Sequence, residues 1–477
     1  MRRRIQAGFG SKEMSPFSGL KREYIDDVLE LGASSGSEFT ELFLEQRKSF
    51  FFLLEDGKAE KISSGTDSGF GIRIINSGRT SYGYSNIITR EEMIKVARGL
   101  LEGGGRGAGG YTPAGETVYG GNDGVEMPAG DIPAGRKLQL AFEADREARN
   151  TSGEISQVSV SYGDSARQVE IYNSEGAAVR DLRRQIFFNV RAVASNSSGT
   201  QSASRSVGGN HGFEHLDDRM ASRMGRETAE SAVSILHASR IRGGSMPVVI
   251  GSEAGGTMVH EAIGHGLEGD SACRGQSIYS GRTGEKVASE LVTVVDDSTL
   301  PGKRGSYSFD DEGTPAGRTV LVERGILKGF IHSLESAWRM QTASTGNGRR
   351  QSFRYRPIVR MSNTLIVPGD HNPEDIISSV DSGMYVKRMG GGQVDTSSGD
   401  FVFRVNEGYR IEKGRITDPV RGATLIGNGP EILRQIDMVG SDLGFDIGTC
   451  GKDGQHVPVS DAQPTIRIPS ITVGGEE

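Results

Sequence analysis

Glycine restricts the architecture of this chain more than any other residue type does. The 477 residues include 69 glycines, which separate short stretches of alternating apolar and polar residues. Glycine tolerates backbone conformations that helices and strands do not use, so it interrupts those elements and favours turns. We therefore expect many turns and short strands, and the helical and strand-like patterns along the chain predict an α+β fold. The length exceeds one ordinary hydrophobic core and predicts about two or three domains.

The first half of the sequence alternates helical and strand-like patterns around a glycine-rich stretch. We predict a loose tail at 1–19 and an N-terminal domain at 20–238, in which antiparallel strands are flanked by helices. Residues 102–135 contain the run EGGGRGAGG and several prolines, which predicts a linker. Helix, strands and helix follow one another on both sides of this linker, so an internal duplication is one interpretation. The predicted helices lie at 20–32, 89–101, 136–149 and 217–236, and the predicted strands at 40–45, 49–54, 69–75, 157–162, 168–172 and 185–194.

The second half of the sequence is rich in strand-like segments separated by glycine turns. We predict a C-terminal domain at 239–477 that is mostly an antiparallel β sandwich or barrel and carries one helical segment near 258–267. Ser252 is expected to cap that helical segment. The predicted strands lie at 246–250, 291–295, 319–322, 326–331, 364–367, 402–405 and 466–468.

Charge and cysteine content exclude several classes of protein. The chain has 55 Lys and Arg against 62 Asp and Glu, a net charge of −7, which argues against a broad nucleic-acid interface. The basic start is not followed by the apolar core of a signal peptide, and no segment reaches the length of a membrane span. Two cysteines, Cys273 and Cys450, are too few for a disulfide framework, so we expect a cytoplasmic protein.

The segment MVHEAIGHGL at 258–267 contains the residues of a metallopeptidase site. His260 is followed directly by Glu261, and His265 comes five positions after the first histidine. A catalytic zinc ion needs nitrogen, oxygen or sulfur donors and an open position, and a nearby carboxylate can accept the proton of the attacking water. The pattern predicts two metal ligands, His260 and His265, and a general base, Glu261.

The spacing of the two histidines is one residue wider than in the zinc motif H-E-x-x-H. Residues in a regular helix advance by about 100° each, so five positions overshoot the starting face by about 140°. Gly264 and Gly266 flank His265, and glycine permits backbone that a regular helix cannot use. Either a π-type turn absorbs the extra residue or the helix unwinds at Gly264.

A third ligand is required, and the sequence offers several. Spacing alone cannot decide between the two cysteines, each of which is a strong zinc ligand as the thiolate. The candidates are Glu268, Asp270, Cys273, Cys450 and His456.

A second histidine motif lies outside this segment. His211, Glu214 and His215 match H-x-x-E-H, a metal motif that needs a helix to bring its histidines together. The surrounding glycines favour a loop, so we interpret these residues as surface histidines.

Several long segments of the second half together resemble the TldD/PmbA family (peptidase family U62), whose members are sometimes labelled modulators of DNA gyrase. The resemblance covers most of the chain from about residue 20 and is densest after 245. Its segments are HEAIGHGLEGD at 260–270, DDEGTPAGRTVLVERGILKGFIH at 310–332, STGNGRR at 344–350, RMSNT at 360–364, GGGQVDTSSGDFVF at 390–403, GATLIGNGPEIL at 422–433 and CGKDGQHVPV at 450–459.

The resemblance implies roles for particular residues. TldD-like chains keep H-E-x-x-x-H, whereas PmbA/TldE-like chains have lost it, so this chain resembles the catalytic branch. By that resemblance His260, His265 and Cys450 bind the metal, usually zinc although another divalent ion would also suit, and Glu261 is the catalytic base. The resemblance thus favours Cys450 over Cys273.

The resemblance also implies a substrate and a partner. Proteins of this family are cytosolic peptidases of unfolded or flexible peptides, and they act as homodimers or as heterodimers with a TldE/PmbA-like chain. Peptide is held through its backbone as an added strand. The segment Gly390, Gly391, Gly392 and Gln393 is a candidate for that cleft, because its glycines permit close backbone approach; an ordinary hairpin is the alternative.

Taken together, the residues and the resemblance predict a zinc-dependent peptidase. The alternative is a non-catalytic binding or scaffold protein with a structural metal. A closed site with four protein ligands would favour the scaffold, and an open coordination position would favour catalysis.

Overall fold

The computed structural model describes residues 15–102, 110–113, 115–121 and 124–475. The predicted tail lies outside the described residues up to position 14. The residues that follow are packed rather than loose, because Phe17 is buried against Val28 and Leu29.

Helices and strands alternate along the chain. The α-helices are α1 Arg22–Ser34, α2 Arg90–Leu101, α3 Ala134–Thr151, α4 Asp218–His237, α5 Thr257–Val259, α6 Gly269–Ala272, α7 Leu334–Arg339, α8 Pro373–Ser378 and α9 Gly429–Gln435. The strands of the first half are β1 Phe39–Glu55, β2 Lys58–Asn76, β3 Arg79–Ser85, β4 Val118–Tyr119, β5 Ile155–Asn173, β6 Ala178–Asn196 and β7 Gly199–Gly209. Those of the second half are β8 Ser239–Arg240, β9 Gly244–Ile250, β10 Val294–Asp297, β11 Arg318–Glu323, β12 Ile326–Leu327, β13 Gly348–Arg349, β14 Ile358–Val359, β15 Asn363–Ile366, β16 Ser382–Val394, β17 Asp400–Glu412, β18 Arg415–Arg421, β19 Thr424–Asn428, β20 Met438–Val439, β21 Gly444–Lys452, β22 Gln455–Gln463 and β23 Ile466–Gly474.

The first half forms one sheet with the strand order β3-β2-β1-β5-β6, and both β4 and β7 pair with β6. The predicted helices are confirmed within two residues at their starts and ends, and Thr89 caps α2 by accepting a hydrogen bond from the Glu92 amide. The predicted linker at 102–135 contains β4, and its residues 103–109, 114, 122 and 123 lie outside the described ones. Helix, three strands and helix occur twice, at α1–α2 and at α3–α4. The interpretation as a duplication and the domain division at 238/239 stay predictions.

The strands of this sheet are longer than the sequence predicts. The predicted strands at 40–45 and 49–54 are parts of the single strand β1, and those at 157–162 and 168–172 are parts of β5. Polar residues near Ser49 break the apolar alternation, but β1 is paired continuously to β2 on one side and to β5 on the other. The prediction of short strands is therefore wrong here, because neighbouring strands supply the hydrogen bonds that the local pattern does not signal.

The two faces of the N-terminal sheet have different partners. Even-numbered residues of β1, such as Leu44 and Phe52, are buried under the helices. On the other face, Phe43 packs against Phe353 of the second half. The sheet therefore joins the helices to the C-terminal part through two separate apolar layers.

The second half contains a closed β barrel and an open sheet. The strands β16, β9, β23, β19 and β17 form a ring, which closes because β16 also pairs with β17. The open sheet has the order β12-β11-β10-β15-β22-β21. A continuous apolar core lies between these sheets and includes Val259, Ile263 and Cys450. The α+β fold class is confirmed, and the barrel is the form that the structure adopts.

A search of the described helices for a membrane span finds none that is long and apolar enough.

A buried ion-pair network links the two halves. Arg73 of β2 is fully buried and donates to Glu41 of β1 at 2.8 Å and to Glu312 of the second half at 2.6 Å. Arg350 contacts Glu41 from the other side. A buried carboxylate is costly unless a cation compensates its charge, so each member of this network depends on the others.

Replacing Arg73 by Met tests this dependence. Because Glu312 would lose its cation in a buried setting, we expect the free energy of unfolding to fall by about 3–5 kcal/mol. Urea denaturation of the full chain measures the change. The matched control is Arg354→Met, which removes an exposed pair with Asp67 at 2.9 Å and should cost about 0–1 kcal/mol. Equal losses in the two variants would contradict the role given to the network.

Candidate metal centre

The chain enters the site from the barrel strand β9. A single 3-10 turn, Ser252–Ala254, follows this strand, and α5 begins after Gly256. Ser252 makes no side-chain cap to the segment carrying the motif, so the predicted cap is wrong. The reason is the intervening turn at Gly255, which has φ +66° and packs against Asp446.

The extra residue of the motif is absorbed by a π-helical turn. This turn spans His260–Gly264 and is followed by a 3-10 turn, His265–Leu267. A π turn closes from residue i to i+5, so it brings the fifth residue after His260 back to the same side. Of the two alternatives that the sequence left open, the structure has the π-type turn.

Gly264 packs closely against a buried side chain, and its own backbone is ordinary. Its φ and ψ are −57° and −54°, which are ordinary helical values for any residue. A Cβ at this position would lie 2.2 Å from Sδ of the buried Met361. The expectation that glycine supplies an unusual backbone conformation here is therefore wrong, because the constraint is the space beside Met361.

Three of the predicted ligands meet at one point. Nε2 of His260 lies 3.3 Å from Sγ of Cys450, and Nε2 of His265 lies 3.5 Å from the same sulfur. The three donor atoms are all within 4.8 Å of one another, and the two imidazole rings are nearly perpendicular. Cys450 reaches the turn from strand β21, 185 residues beyond His265 in the chain.

A carboxylate holds each histidine from behind. Nδ1 of His260 is 2.7 Å from Oδ1 of Asp461, and Nδ1 of His265 is 3.1 Å from Oε2 of Glu268. A carboxylate accepts the Nδ1–H, which leaves Nε2 of each ring as the donor that faces the centre. Glu268 therefore contacts the outer nitrogen of a predicted ligand, although the sequence also offered Glu268 as a ligand itself. Asp461 was missed, since no local pattern distinguishes it in the strand β22.

The electrostatics of the site favour a thiolate. Burial alone would raise the pKa of Cys450, but the hydrogen bonds and charges of His260 and His265 outweigh burial and lower it to about 5. Burial opposes the charge on His265, yet Glu268 and the sulfur raise its pKa to about 10. Burial also disfavours the Glu268 carboxylate, but Lys452 and His265 lower its pKa to about 2.

Glu261 lies beside the donor atoms without being one of them. Its Oε2 is 3.9 Å from Nε2 of His265. Its side chain exposes 29% of its surface to solvent. Burial raises the pKa of this carboxyl group, and the two histidines oppose that rise. A carboxylate here can accept a proton from a group bound at the centre.

The donor set fits zinc. Two imidazole nitrogens and one thiolate are ligands that zinc prefers, and three protein donors leave a position for water or substrate. Carboxylates on both histidines are also the usual outer partners of zinc-binding imidazoles. The three residues that would hold the ion are His260, His265 and Cys450.

The other candidate ligands lie elsewhere. Sγ of Cys273 donates to the Asp270 carbonyl, and the side chain of His456 is exposed. The rings of His211 and His215 are 4.3 Å apart, with only His215 on a 3-10 turn, but no third donor completes a group there among the residues that the structure describes. Asp270 contacts Lys452 and not the centre.

Three domains of one protein family match successive parts of the chain. Domain 1 of the PmbA/TldA metallopeptidases matches residues 40–103, their central domain matches 128–236, and their C-terminal domain matches 243–475. The protein belongs to this metallopeptidase family.

Curated relatives cover nearly the whole chain. A protein of Methanothermobacter thermautotrophicus named metalloprotease is 37% identical over 95% of this chain and 99% of its own. A metalloprotease TldD homolog of Haemophilus influenzae is 34% identical over 96% and 97%. A zinc metalloprotease TldD homolog of Saccharolobus solfataricus is 28% identical over 95% and 99%.

Solved structures share the fold. A Thermotoga maritima protein, described as a proposed modulator of a DNA gyrase, superposes with a TM-score of 0.78 at 22% identity, over 95% of this chain and 99% of its own. TldE of Thermococcus kodakarensis superposes with a TM-score of 0.75 at 17% identity, over 95% and 100%.

A Gly264→Ala substitution tests whether the packed π turn determines the site. The new methyl group would collide with Met361 and displace His265 from the sulfur, so we expect zinc affinity to fall by about tenfold or more. Competition with a zinc-chelating dye measures the affinity. Gly329→Ala, where a Cβ meets no atom within 4 Å, is the control and should bind zinc as the unchanged protein does.

Proposed function

We propose that the protein is a zinc-dependent cytoplasmic peptidase that hydrolyses unfolded or flexible peptides. The observation that carries the proposal is the convergence of His260, His265 and Cys450, with Glu261 beside them. A relative named a zinc metalloprotease supports the choice of metal. Three donors meet among the residues that the structure describes, rather than a closed set of four, and this favours catalysis over the scaffold alternative.

The chain's own residues would divide the reaction between them. Zinc bound by the three ligands would polarise the scissile carbonyl and make a water molecule more acidic. Glu261 accepts the proton of the attacking water on a carboxylate oxygen. As the C–N bond breaks, Glu261 passes that proton to the leaving nitrogen. Asp461 and Glu268 keep both imidazoles oriented during these steps.

The barrel strand β16 is the proposed place for the peptide. β9 pairs with it at 384–386 and then ends, where the Gly251 amide donates to the Val386 carbonyl. Beyond that point no further strand of the described residues pairs with this edge of β16, and β16 contacts the π turn. A peptide could add to this edge through its backbone, which gives affinity with little sequence preference.

The candidate residues of the cleft differ in their surroundings. Gly390 is buried, and a Cβ there would lie 2.4 Å from Oδ1 of Asn406. Gly391, Gly392 and Gln393 are exposed, and a Cβ on Gly391 would meet nothing within 4 Å. The open space beside Gly391 is consistent with room for a substrate.

We further propose that the chain works as a dimer, either with a second copy or with a TldE/PmbA-like chain. The support is its fold, which it shares with a TldE protein over nearly the full length of both chains.

The Glu261→Gln variant tests the proposed chemistry. Gln cannot accept the proton, so we expect kcat on an unfolded peptide to fall by about 100-fold to 10,000-fold while bound zinc stays unchanged. Zinc is counted by atomic absorption and cleavage by mass spectrometry. Unchanged turnover in a zinc-loaded variant would remove Glu261 from the mechanism.

A Gly391→Val variant tests the proposed cleft. The added side chain would occupy the open space where we place the peptide, so KM should rise while kcat at saturation and zinc content stay the same. The same peptide cleaved by the Gly329→Ala protein is the reference. A KM equal to that of the unchanged protein would place the peptide elsewhere.

A further inference from the structure

We propose that Lys452 is a positioning residue, which ties the strand of the cysteine ligand to the carboxylate that orients His265. The proposal deepens the proposed function and rests on the metal-binding part of it. Lys452 follows Cys450 by two positions on β21. Side chains alternate along a strand, so the lysine and the cysteine project from the same face of β21.

The amino group of Lys452 contacts the two acidic residues at the start of α6, Glu268 and Asp270. Its Nζ lies 3.0 Å from Oε2 of Glu268 and 2.7 and 2.8 Å from the two carboxylate oxygens of Asp270. It also donates to the Val359 carbonyl at 3.2 Å. An ammonium group has three N–H donors, and these contacts occupy them.

Glu268 depends on this contact for its orientation. Its side chain is almost fully buried, and its Oε2 is shared by Nδ1 of His265 and Nζ of Lys452. Its other oxygen, Oε1, is buried with no hydrogen-bond partner in the part of the chain that the structure describes. The direction of the carboxylate is therefore set through Oε2, by the histidine and the lysine together.

The two histidine ligands differ in how their carboxylates are tied to Cys450. Asp461, behind His260, lies on β22, which pairs directly with the strand of Cys450. Glu268, behind His265, lies between the 3-10 turn His265–Leu267 and α6, and its backbone bridge is to Ile331 rather than to β21. The Lys452 side chain supplies the missing link from the strand of the sulfur ligand to the second imidazole.

Removal of the lysine side chain should therefore lower the metal affinity and not only the stability of the fold. Without Nζ, Glu268 would be a buried carboxylate with one remaining partner on Oε2, and it would be free to turn. That change weakens the hold on Nδ1 of His265 and moves Nε2 away from the sulfur. Outer partners of metal ligands typically change metal affinity by about 10-fold to 100-fold when they are removed.

The test is a double-mutant cycle on the full chain with Lys452→Met and Glu268→Gln. Zinc affinity is measured by competition with a chelating dye, and the Co²⁺-loaded proteins are compared by their visible absorption spectra. We expect Lys452→Met to weaken zinc by about 10-fold to 100-fold and to shift the cobalt spectrum. On the Glu268→Gln background the same change should add little, because the lysine acts through Glu268.

The matched control is Lys328→Met, which removes a lysine from an exposed pair with Glu323 at 2.9 Å and should leave affinity and spectrum unchanged. If Lys452→Met does not fold, Asp270→Asn loosens the same amino group and should weaken zinc in the same direction by a smaller factor. An unchanged zinc affinity and cobalt spectrum in the folded variant, or fully additive effects of the two substitutions, would overturn the proposal. Failure of the unchanged, zinc-loaded protein to cleave any peptide would instead count against the proposed hydrolysis, since the affinities and spectra are read without turnover.

Discussion

The site depends on the contact between a π-helical turn and a β hairpin. The turn at His260–Gly264 places two imidazoles on one side, and the hairpin of β21 and β22 brings Cys450 and Asp461 to meet them. A regular helix would carry the second histidine away from the sulfur by more than a quarter of a turn. Met361 packs closely against Gly264 within this turn.

Buried arginines also stabilise the position of the β21–β22 hairpin. Arg360 is fully buried and donates to the carbonyls of Cys450 and Gln455, so it fixes both ends of the hairpin loop. Further from the site, Arg73 donates to Glu312 and Arg350 contacts Glu41, so these two arginines join the N-terminal sheet to the second half. The three donor atoms all come from the second half of the chain. The first half packs against the second half through one face of its sheet, which carries both apolar and charged residues.

The sequence predicts well whatever is local. Helix limits and the α+β class follow from short patterns, whereas the motif spacing left a π turn and an unwound helix open, and the structure decides for the π turn. The long strands do not, because β1 is continuous through a polar stretch that its two neighbouring strands stabilise. The third predicted ligand could not be derived from spacing, since Cys450 approaches His265 through a contact between residues 185 positions apart. The resemblance to the TldD/PmbA family favoured Cys450 over Cys273. In the structure Cys450, and not Cys273, lies beside both histidines. Asp461 has no sequence signature, because its role exists only in the register of β22 against β21.

The most direct measurement is X-ray absorption at the zinc edge of the full-length, zinc-loaded protein. The account predicts one sulfur neighbour at about 2.3 Å and two imidazole nitrogens at about 2.0 Å, with a further light atom that completes four-coordination. In a Cys450→Ser protein the sulfur neighbour should disappear, whereas Cys273→Ser should leave the spectrum unchanged. A spectrum without sulfur, or one whose sulfur neighbour survives the loss of Cys450, would contradict the claim that His260, His265 and Cys450 hold the metal.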